Sequence, residues 1–424
     1  MSKPYVTLLG KAVRYAARLR GGGSALPGLF VEKIDPDFIR RTLAQLPRGV
    51  VVISGTNGKT TTTKMVVELL ESQGLRVFTN RTGSNFTRGV AAALLGEVDN
   101  HGNLDADIAV LELDEAHAVH FVKDIHPRFA LLLNVMRDQL DRFGEIDMTA
   151  KLLRQIANHT TGSVILNRED PRVAAIATTL HGQTVGYFGL SPQLAKLFPS
   201  DDDLHGGVTV NKNPTVNADV ILQAIKGDKA QFVIGGTPKT VTLQLQGIYN
   251  IYNAAAALTL ARAILGDDLD QDKLLDALAR VTPAFGRGET VTIGGQPLEL
   301  VLVKNPSGFR LSLASFKPNG YQTMIAINDN YADGRDLSWL WDVPCDSLRE
   351  TGVLQLSGIR AYDMALRLQY DEVPVTHVNT DLSAALRHFI TVAGDQPKRI
   401  FCTYTAMLAL RRELSKITNV EEIG

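Results

Sequence analysis

Cysteine is nearly absent: the 424 residues hold two, Cys345 and Cys402. So few exclude a disulfide scaffold and any four-cysteine metal ribbon, and they suit a reducing cytosol. Excess charge of one sign is also missing, because 44 Lys+Arg stand against 45 Asp+Glu for a formal net charge of -1. No global field therefore recruits nucleic acid, although a local basic patch is compatible with the balance. Long apolar runs are lacking too. The stretch MSKPYVTLLGKAVRYAARLRGGG is broken by Lys11, Arg14 and Arg18, so it reads as neither a secretory signal nor a membrane span. There is no internal repeat and no low-complexity tract. These exclusions predict a soluble cytoplasmic protein.

What is present is ordinary for a chain that buries a full core, with 45% apolar and 21% charged residues. At roughly 150 residues per domain, the length predicts two or three domains. The first 45 residues are basic, and Gly21, Gly22 and Gly23 separate two helix-like stretches. Leu8, Leu9, Val13, Ala16 and Ala17 are expected to line one face of the first. Packing of that face on the main domain is preferred to a membrane-surface contact, because Ala and Val anchor poorly in lipid.

From Gly49 to about Arg287, short apolar runs alternate with helical stretches. VVVIS (50–54) reads as a buried strand and TTTKMVVELLESQG (61–74) as a helix stopped at Gly74. RVFTN, DIAVLEL, FALLLNV and SVILN continue the strands. The pattern predicts an α/β fold with a mostly parallel sheet covered on both faces, its ligands beyond the carboxyl ends of the strands. Residues 191–242 read as an antiparallel excursion through DVILQAI and KAQFVIGG, and VTPAFGRGE as a linker. Beyond it LELVLVK, QTMIAIND and RIFCTYT alternate with helices in DMALRLQY, DLSAALRHFITVAG and TAMLALRRELSKI. The division expected is an N-terminal helical segment (1–45), a central domain (46–288) and a smaller C-terminal α/β domain (289–424).

GTNGKTT (55–61) lies between the first strand and the helix after it. Glycines let backbone N–H groups approach phosphate oxygens, and a helix N-terminus adds positive charge. Lys59 can span β- and γ-phosphates, and the Thr60 hydroxyl can ligate Mg²⁺. The strict P-loop pattern has a further glycine where Ile53 stands here, so the match is to the shorter G-x-x-G-K-T-T. Gly55, Thr56, Asn57, Gly58, Lys59, Thr60 and Thr61 are the candidate phosphate contacts. The strand DIAVLEL runs into LELDEAH (111–117), with Glu112, Asp114 and Glu115. These acids either give Mg²⁺ the oxygen ligands a hard cation takes or cap the next helix. His117 reads as structural or supporting rather than as a metal ligand.

GTNGKTT, the Asp-Glu acids, LLNVMRDQLDRFGEID, LNREDP, GIYNIYNAAAAL and GRGE occur in the order found in Mur ligases. The chain resembles the P-loop ATPase domain of those enzymes, without a UDP-binding domain before the loop, since only about 45 residues are available ahead of the central domain. NRTGSNFTRG (80–89), INDNYADGRDLSWLWD (327–342), LSGIRAYDMALRLQY (356–370) and TYTAMLALRREL (403–414) narrow the resemblance to the MurT family, the ligase-like subunits of lipid II isoglutaminyl synthases. This resemblance implies ATP-dependent amidation of the D-glutamate α-carboxylate of lipid II through an acyl phosphate. It also implies a GatD-type class I glutaminase partner that supplies ammonia, and work at the inner face of the plasma membrane.

The resemblance further implies roles residue by residue. Lys59 and Thr60 match the phosphate-loop pair, and Glu115 matches a Mg²⁺ ligand. Asn134 and Asn253 match adenine contacts, for which an amide is suited because it donates and accepts at once. Arg287 matches a residue near the ATP phosphates; a solvated linker arginine is the competing reading. Asn305, in VKNPSG, stands where amino-acid-adding ligases carry a longer segment with an acid and a histidine. The reduced segment counts against a stand-alone ligase of the folylpolyglutamate synthase type; a non-catalytic nucleotide-binding scaffold is the other alternative. Many family members carry a zinc ribbon, but residues 190–215 here contain no cysteine, so zinc is not expected. Cys402 reads as a core residue and Cys345 as a loop residue without a nearby histidine, neither a convincing nucleophile. In the family, the C-terminal domain lends the glutaminase an aspartate. Asp336 is favoured, with Asp333, an ordinary turn residue before Gly334, and Asp342 as alternatives. Trp339 and Trp341 are either core or partner-interface anchors.

Overall fold

A computed structural model describes residues 4–19, 26–80, 87–137, 146–195, 198, 216–245, 247–282 and 287–418. It divides into two compact units. The first comprises Met1–Val135, Asp147–Leu245 and Asn250–Val281, and the second Met136–Ile146, Gln246–Tyr249 and Thr282–Gly424.

Strand β1 (Val50–Ser54) is apolar on both sides and wholly buried, as a central strand of a two-faced parallel sheet must be. β3 (Ile108–Glu112) and β4 (Phe129–Leu132) are buried in the same way and flank it in parallel. With β2 (Val77–Thr79), β5 (Ser163–Asn167), β6 (Thr184–Leu190), β7 (Val220–Lys226), β8 (Lys229–Ile234) and β9 (Thr237–Thr242), the sheet order is β2-β3-β1-β4-β5-β6-β7-β8-β9. Pairings from β2 to β7 are parallel; β7-β8 and β8-β9 are antiparallel. The expected antiparallel excursion is therefore present. Its second hairpin turns on Gly235 and Gly236, whose φ of 55° and 82° match the strand twist as other residues rarely can.

The second unit has the order β10-β11-β15-β12-β13-β14, from Arg287–Ile293, Gln296–Leu302, Gln322–Ala326 (β12), Val353–Ser357, Val375–Val378 and Lys398–Cys402 (β15). The hairpin β10-β11 is antiparallel and the remaining pairings are parallel. Alternate residues feed two cores: Ile325, Ile327 and Phe401 on one face, Met324, Ala326, Ile400 and Cys402 on the other. VTPAFGRGE departs from its reading as a linker, since its last three residues begin β10, where Arg287 and Glu289 pair across to β11 with a register shift between them. Residues 283–286 and the Arg287 side chain lie outside the described residues.

The N-terminal region forms the helices Pro4–Leu19, Leu26–Ile34 and Phe38–Leu43. The expected inward face of the first is wrong. Val6, Thr7 and Gly10 are buried, whereas Leu8 and Leu9 are exposed. The reason is close approach: a Cβ on Gly10 would meet Val31 and Leu95 at 2.7 Å, so the helix packs through its smallest residue. Among the described residues no helix is long and apolar enough to cross a membrane.

A Cβ on Gly28 would run into the backbone carbonyl of Arg88, on the helix Thr87–Glu97. A backbone group cannot swing aside as a side chain can. Gly28→Ala should destabilise the protein by about 1–3 kcal/mol, read as a lower denaturant midpoint with an unchanged slope.

Candidate functional site

The carboxyl end of β1 runs directly into the glycine loop, and the helix Lys59–Ser72 leaves it. Gly55 and Gly58 adopt φ of 133° and 90°, values that L side chains rarely take. Space excludes a side chain as well. A Cβ on Gly55 would lie 3.0 Å from the Asn134 backbone nitrogen, and one on Gly58 would lie 2.7 Å from Asn253 Nδ2. The two asparagines expected at the nucleotide thus flank the loop from β4 and from the helix Ile248–Leu265.

They are placed differently. Asn134 is committed to the loop: Asn57 N donates to its Oδ1 at 2.9 Å, and its Nδ2 donates to the Asn57 carbonyl at 2.9 Å. Its amide keeps a second N–H and a second lone pair, so these bonds are compatible with an adenine contact. Asn253 instead presses its buried amide onto Gly58.

Lys59 is 6% exposed and lies back across the loop, its Nζ donating to the Gly55 carbonyl at 2.5 Å and facing Glu115 Oε1 at 3.6 Å. Glu115 opens the helix Glu115–Ile125 and is itself buried. The Thr60 hydroxyl donates to Glu112 Oε1 at 2.9 Å, so this pair of oxygens meets at the end of β3. Glu112 was singled out in the sequence only as one acid of three. Asn80 fixes its backbone, accepting from Glu112 N at 3.0 Å and donating to Glu112 O at 2.8 Å. His117 is exposed on its helix, and partial desolvation holds its pKa below the usual imidazole range.

Thr60, Glu112 and Glu115 offer only oxygen donors, which fits a hard cation such as Mg²⁺. No group of three or more His, Cys, Asp or Glu poised for a metal exists among the described residues. Mg²⁺ commonly takes one or two carboxylates and completes its shell with phosphate and water, so a sparse protein set is compatible with it.

Residues without a role assigned from sequence hold the site from behind. The Tyr252 hydroxyl donates to Asn167 Oδ1 at 2.6 Å, and Asn167 Nδ2 donates to the Leu133 carbonyl at 2.8 Å. Asp170 accepts from Val135 N at 2.6 Å and from Arg172 and Val173 N–H groups. Burial raises its pKa to about 6 against the opposing pull of those N–H donors. The motif LNREDP therefore anchors the segment that carries Asn134.

In the second unit, Asp333 is more than a turn residue. It is buried, accepts from Thr405 N at 2.7 Å and Thr405 Oγ1 at 2.5 Å, and also takes Asn330 N at 3.1 Å. It joins its loop to the helix Tyr404–Leu414. Asp336 is half-buried and accepts from Ser338 N at 2.9 Å. Asp342 is exposed, and its carbonyl accepts from Arg310. The tryptophans divide: Trp339 is buried edge-on to Phe309 at 6.4 Å, while Trp341 is half exposed beside Tyr370 at 5.1 Å. Asn305 is fully buried and caps the helix Pro306–Ser315 by accepting from Gly308 N at 2.6 Å. Cys345 lies in a loop and is buried, its thiol pushed up to about 12 by desolvation; Cys402 is buried in its strand and also raised.

A strand–glycine loop–helix with a buried lysine, at the centre of a parallel sheet, is the arrangement of a P-loop nucleotide-binding fold. Residues 53–261 match the family model of the Mur ligase middle domain, and residues 302–407 that of the MurT ligase C-terminal domain. MurF from Acinetobacter baumannii, at 19% identity, aligns over 93% of this chain and 79% of its own with a TM-score of 0.68. MurF ligase from Thermotoga maritima, solved in complex with ADP, does so at 18% identity, 89% and 83%, with a TM-score of 0.67. At such identities the likeness carries the fold. The subunit MurT of lipid II isoglutaminyl synthase (glutamine-hydrolyzing) from Streptococcus pneumoniae (strain ATCC BAA-255 / R6) is 30% identical over 440 residues, covering 96% of each chain. This chain belongs to the MurT family.

Asn134→Ala removes both side-chain bonds to the Asn57 backbone. It should weaken ATP binding by about one order of magnitude, with a loss of about 1 kcal/mol in stability. Calorimetric titration with ATP and a denaturant melt separate the two effects; unchanged affinity would show that the clamp does not shape the loop.

Proposed function

We propose that this chain is the subunit that amidates the α-carboxylate of D-glutamate in the lipid II stem peptide, using ATP and ammonia from a GatD-type class I glutaminase. The observation that carries the reading is the similarity along 96% of the chain to a MurT subunit. The phosphate loop and the buried Lys59 support it.

A carboxylate resists nucleophiles because its charge is delocalised. In the proposed reaction one of its oxygens attacks the γ-phosphorus of ATP, and ADP leaves. Ammonia then adds to the acyl carbon, the bond to the phosphate oxygen breaks, and phosphate departs with the electron pair. The nitrogen loses one proton to give the amide of D-isoglutamine. Lys59 exchanges the Gly55 carbonyl for phosphate oxygens, and the N-terminus of its helix adds positive charge there. Thr60, Glu112 and Glu115 would hold Mg²⁺, which neutralises phosphate charge when bound. Asn134 and Asn253 are proposed as adenine contacts, Asn134 also clamping the loop, and Arg287 as a phosphate contact.

Two buried thiols of raised pKa are poor nucleophiles, which favours glutamine hydrolysis on a separate subunit. Asp336 is proposed to orient that partner's catalytic histidine, because the Asp333 oxygens are already committed to Thr405 and Asn330. Tyr362, Leu366 and Tyr370 recur every four residues on the helix Ala361–Tyr370 and are exposed together with Trp341, an apolar face suited to such a partner. The membrane-anchored substrate would place the complex at the inner membrane face.

With ATP, Mg²⁺ and ammonium, the purified chain should amidate lipid II, and glutamine should not replace ammonium until the glutaminase is added. Lys59→Ala should lower the ammonium-driven rate by about 10²–10³ while leaving co-purification with the partner intact. Amidation by Lys59→Ala at the wild-type rate would refute the reading. Asp336→Asn should spare the ammonium-driven reaction and depress the glutamine-driven one by about two to four orders of magnitude. Equal loss in both would assign Asp336 to folding.

A further inference from the structure

We propose that Thr405 is a positioning residue for Asp336, its hydroxyl fixing the loop that carries the aspartate. The inference rests on the reading that Asp336 orients the partner's catalytic histidine. Residues 327–337, which lead from β12 to the short helix Ser338–Asp342, form neither helix nor strand, so no regular ladder fixes them. Side chains do so instead. Thr405 Oγ1 accepts from Asn328 Nδ2 at 3.0 Å and from Asn330 Nδ2 at 2.8 Å, and it donates to Asp333 Oδ2 at 2.5 Å. The direction of each bond is forced, because an amide nitrogen can only donate and an ionised carboxylate can only accept. One hydroxyl thus uses both lone pairs and its single proton on three residues of one loop.

The loop is pinned on either side of Asp336. Upstream, Thr405 N donates to the other Asp333 oxygen, Oδ1, at 2.7 Å, and Asn328 N donates to Thr403 Oγ1 at 2.8 Å. Downstream, Leu337 and Trp339 are buried in the apolar core. Asp336 stands between these anchors, half-buried, with its Oδ1 accepting from Ser338 N. Asp333 and Asn328 are 3% and 5% exposed, so removing the hydroxyl between them leaves polar atoms that water reaches poorly. An aspartate that serves a histidine on another subunit gains from this bracing. Ordering a loop on association is subtracted from binding, and a displacement of about 1 Å can cost about 10²-fold in rate. None of these residues belongs to the phosphate loop, so the ammonium-driven reaction does not depend on them.

Rates of lipid II amidation, with ammonium alone and with glutamine plus the glutaminase, test it. Thr405→Val keeps the shape of the side chain and removes the hydroxyl. It should lower the glutamine-driven rate by about 10- to 100-fold and leave the ammonium-driven rate unchanged. Thr405→Ser, which restores the hydroxyl, should return the glutamine-driven rate to near that of wild type. Because Thr405 acts through Asp336, adding Thr405→Val to Asp336→Asn should lower the glutamine-driven rate no further than Asp336→Asn alone. The proposal is overturned by a Thr405→Val variant that keeps both rates or loses both equally, by a serine that fails to rescue, or by losses that multiply in the double variant. With Asp336→Asn still depressed, each of these results leaves the underlying reading standing. Asp336→Asn at the wild-type glutamine-driven rate would sink that reading itself, whatever Thr405→Val does.

Discussion

The turn from Gly55 to Gly58 is the constraint on which the first unit is organised. Its positive φ values demand glycine, and its surroundings leave no volume for anything else. Three segments distant in sequence converge on it. The strand β4 continues into Asn134, LNREDP holds that segment through Asn167 and Asp170, and the helix Ile248–Leu265 delivers Tyr252 and Asn253. A loop braced on this many sides is positioned before ligand arrives, which is the condition under which fixed dipoles stabilise charge effectively. Lys59 and Glu115 fit the same logic. Burying two opposite charges at 3.6 Å contributes little net stability, because desolvation offsets the attraction. Such a pair is better understood as held for chemistry than for folding.

Much of this was legible in the sequence because the signals were local. Buried strands announce themselves as unbroken apolar runs, and the loop announces itself by glycines and a lysine between strand and helix. The N-terminal helix was misread for a physical reason: Leu8 and Leu9 dominate a hydrophobicity pattern, whereas packing is decided by Gly10, which has no side chain to score. Thr60 with Glu112, and Asp170 with Val135, depend on which strand ends lie side by side. That information resides in the sheet order rather than in spacing. Asp333 before Gly334 does occupy a turn, yet its partner Thr405 is 72 residues away. No local rule reaches that distance.

The second unit shows how motif residues take structural work. Asn305 and Pro306 make a capped helix start, with proline at the position where its missing N–H costs nothing. Capping uses the Asn305 side chain completely enough to bury it, so it is poorly placed to anchor an incoming amino acid. The same unit leaves a patch of large side chains exposed, with Trp341 edge-on to Tyr370 and Arg367 5.7 Å from the Trp341 ring. Rings held by their neighbours lose little entropy when covered, which suits an interface.

On the proposed reaction, the nature of the nucleophile accounts for the segment VKNPSG, which carries neither an acid nor a histidine. An amino acid must be gripped by its carboxylate and oriented so that its amine faces the acyl carbon, which calls for charged side chains at fixed places. Ammonia has no handle to grip and needs only a path and exclusion of water. At neutral pH free ammonium keeps its lone pair bound to a proton, so a source that releases neutral ammonia close to the acyl phosphate has a kinetic advantage over bulk supply. Both thiols of this chain are buried with their protons held on by desolvation, which on the same proposal favours a source on another subunit. A ligase relieved of selecting an amino acid can keep the phosphate loop intact and give its C-terminal surface to a partner.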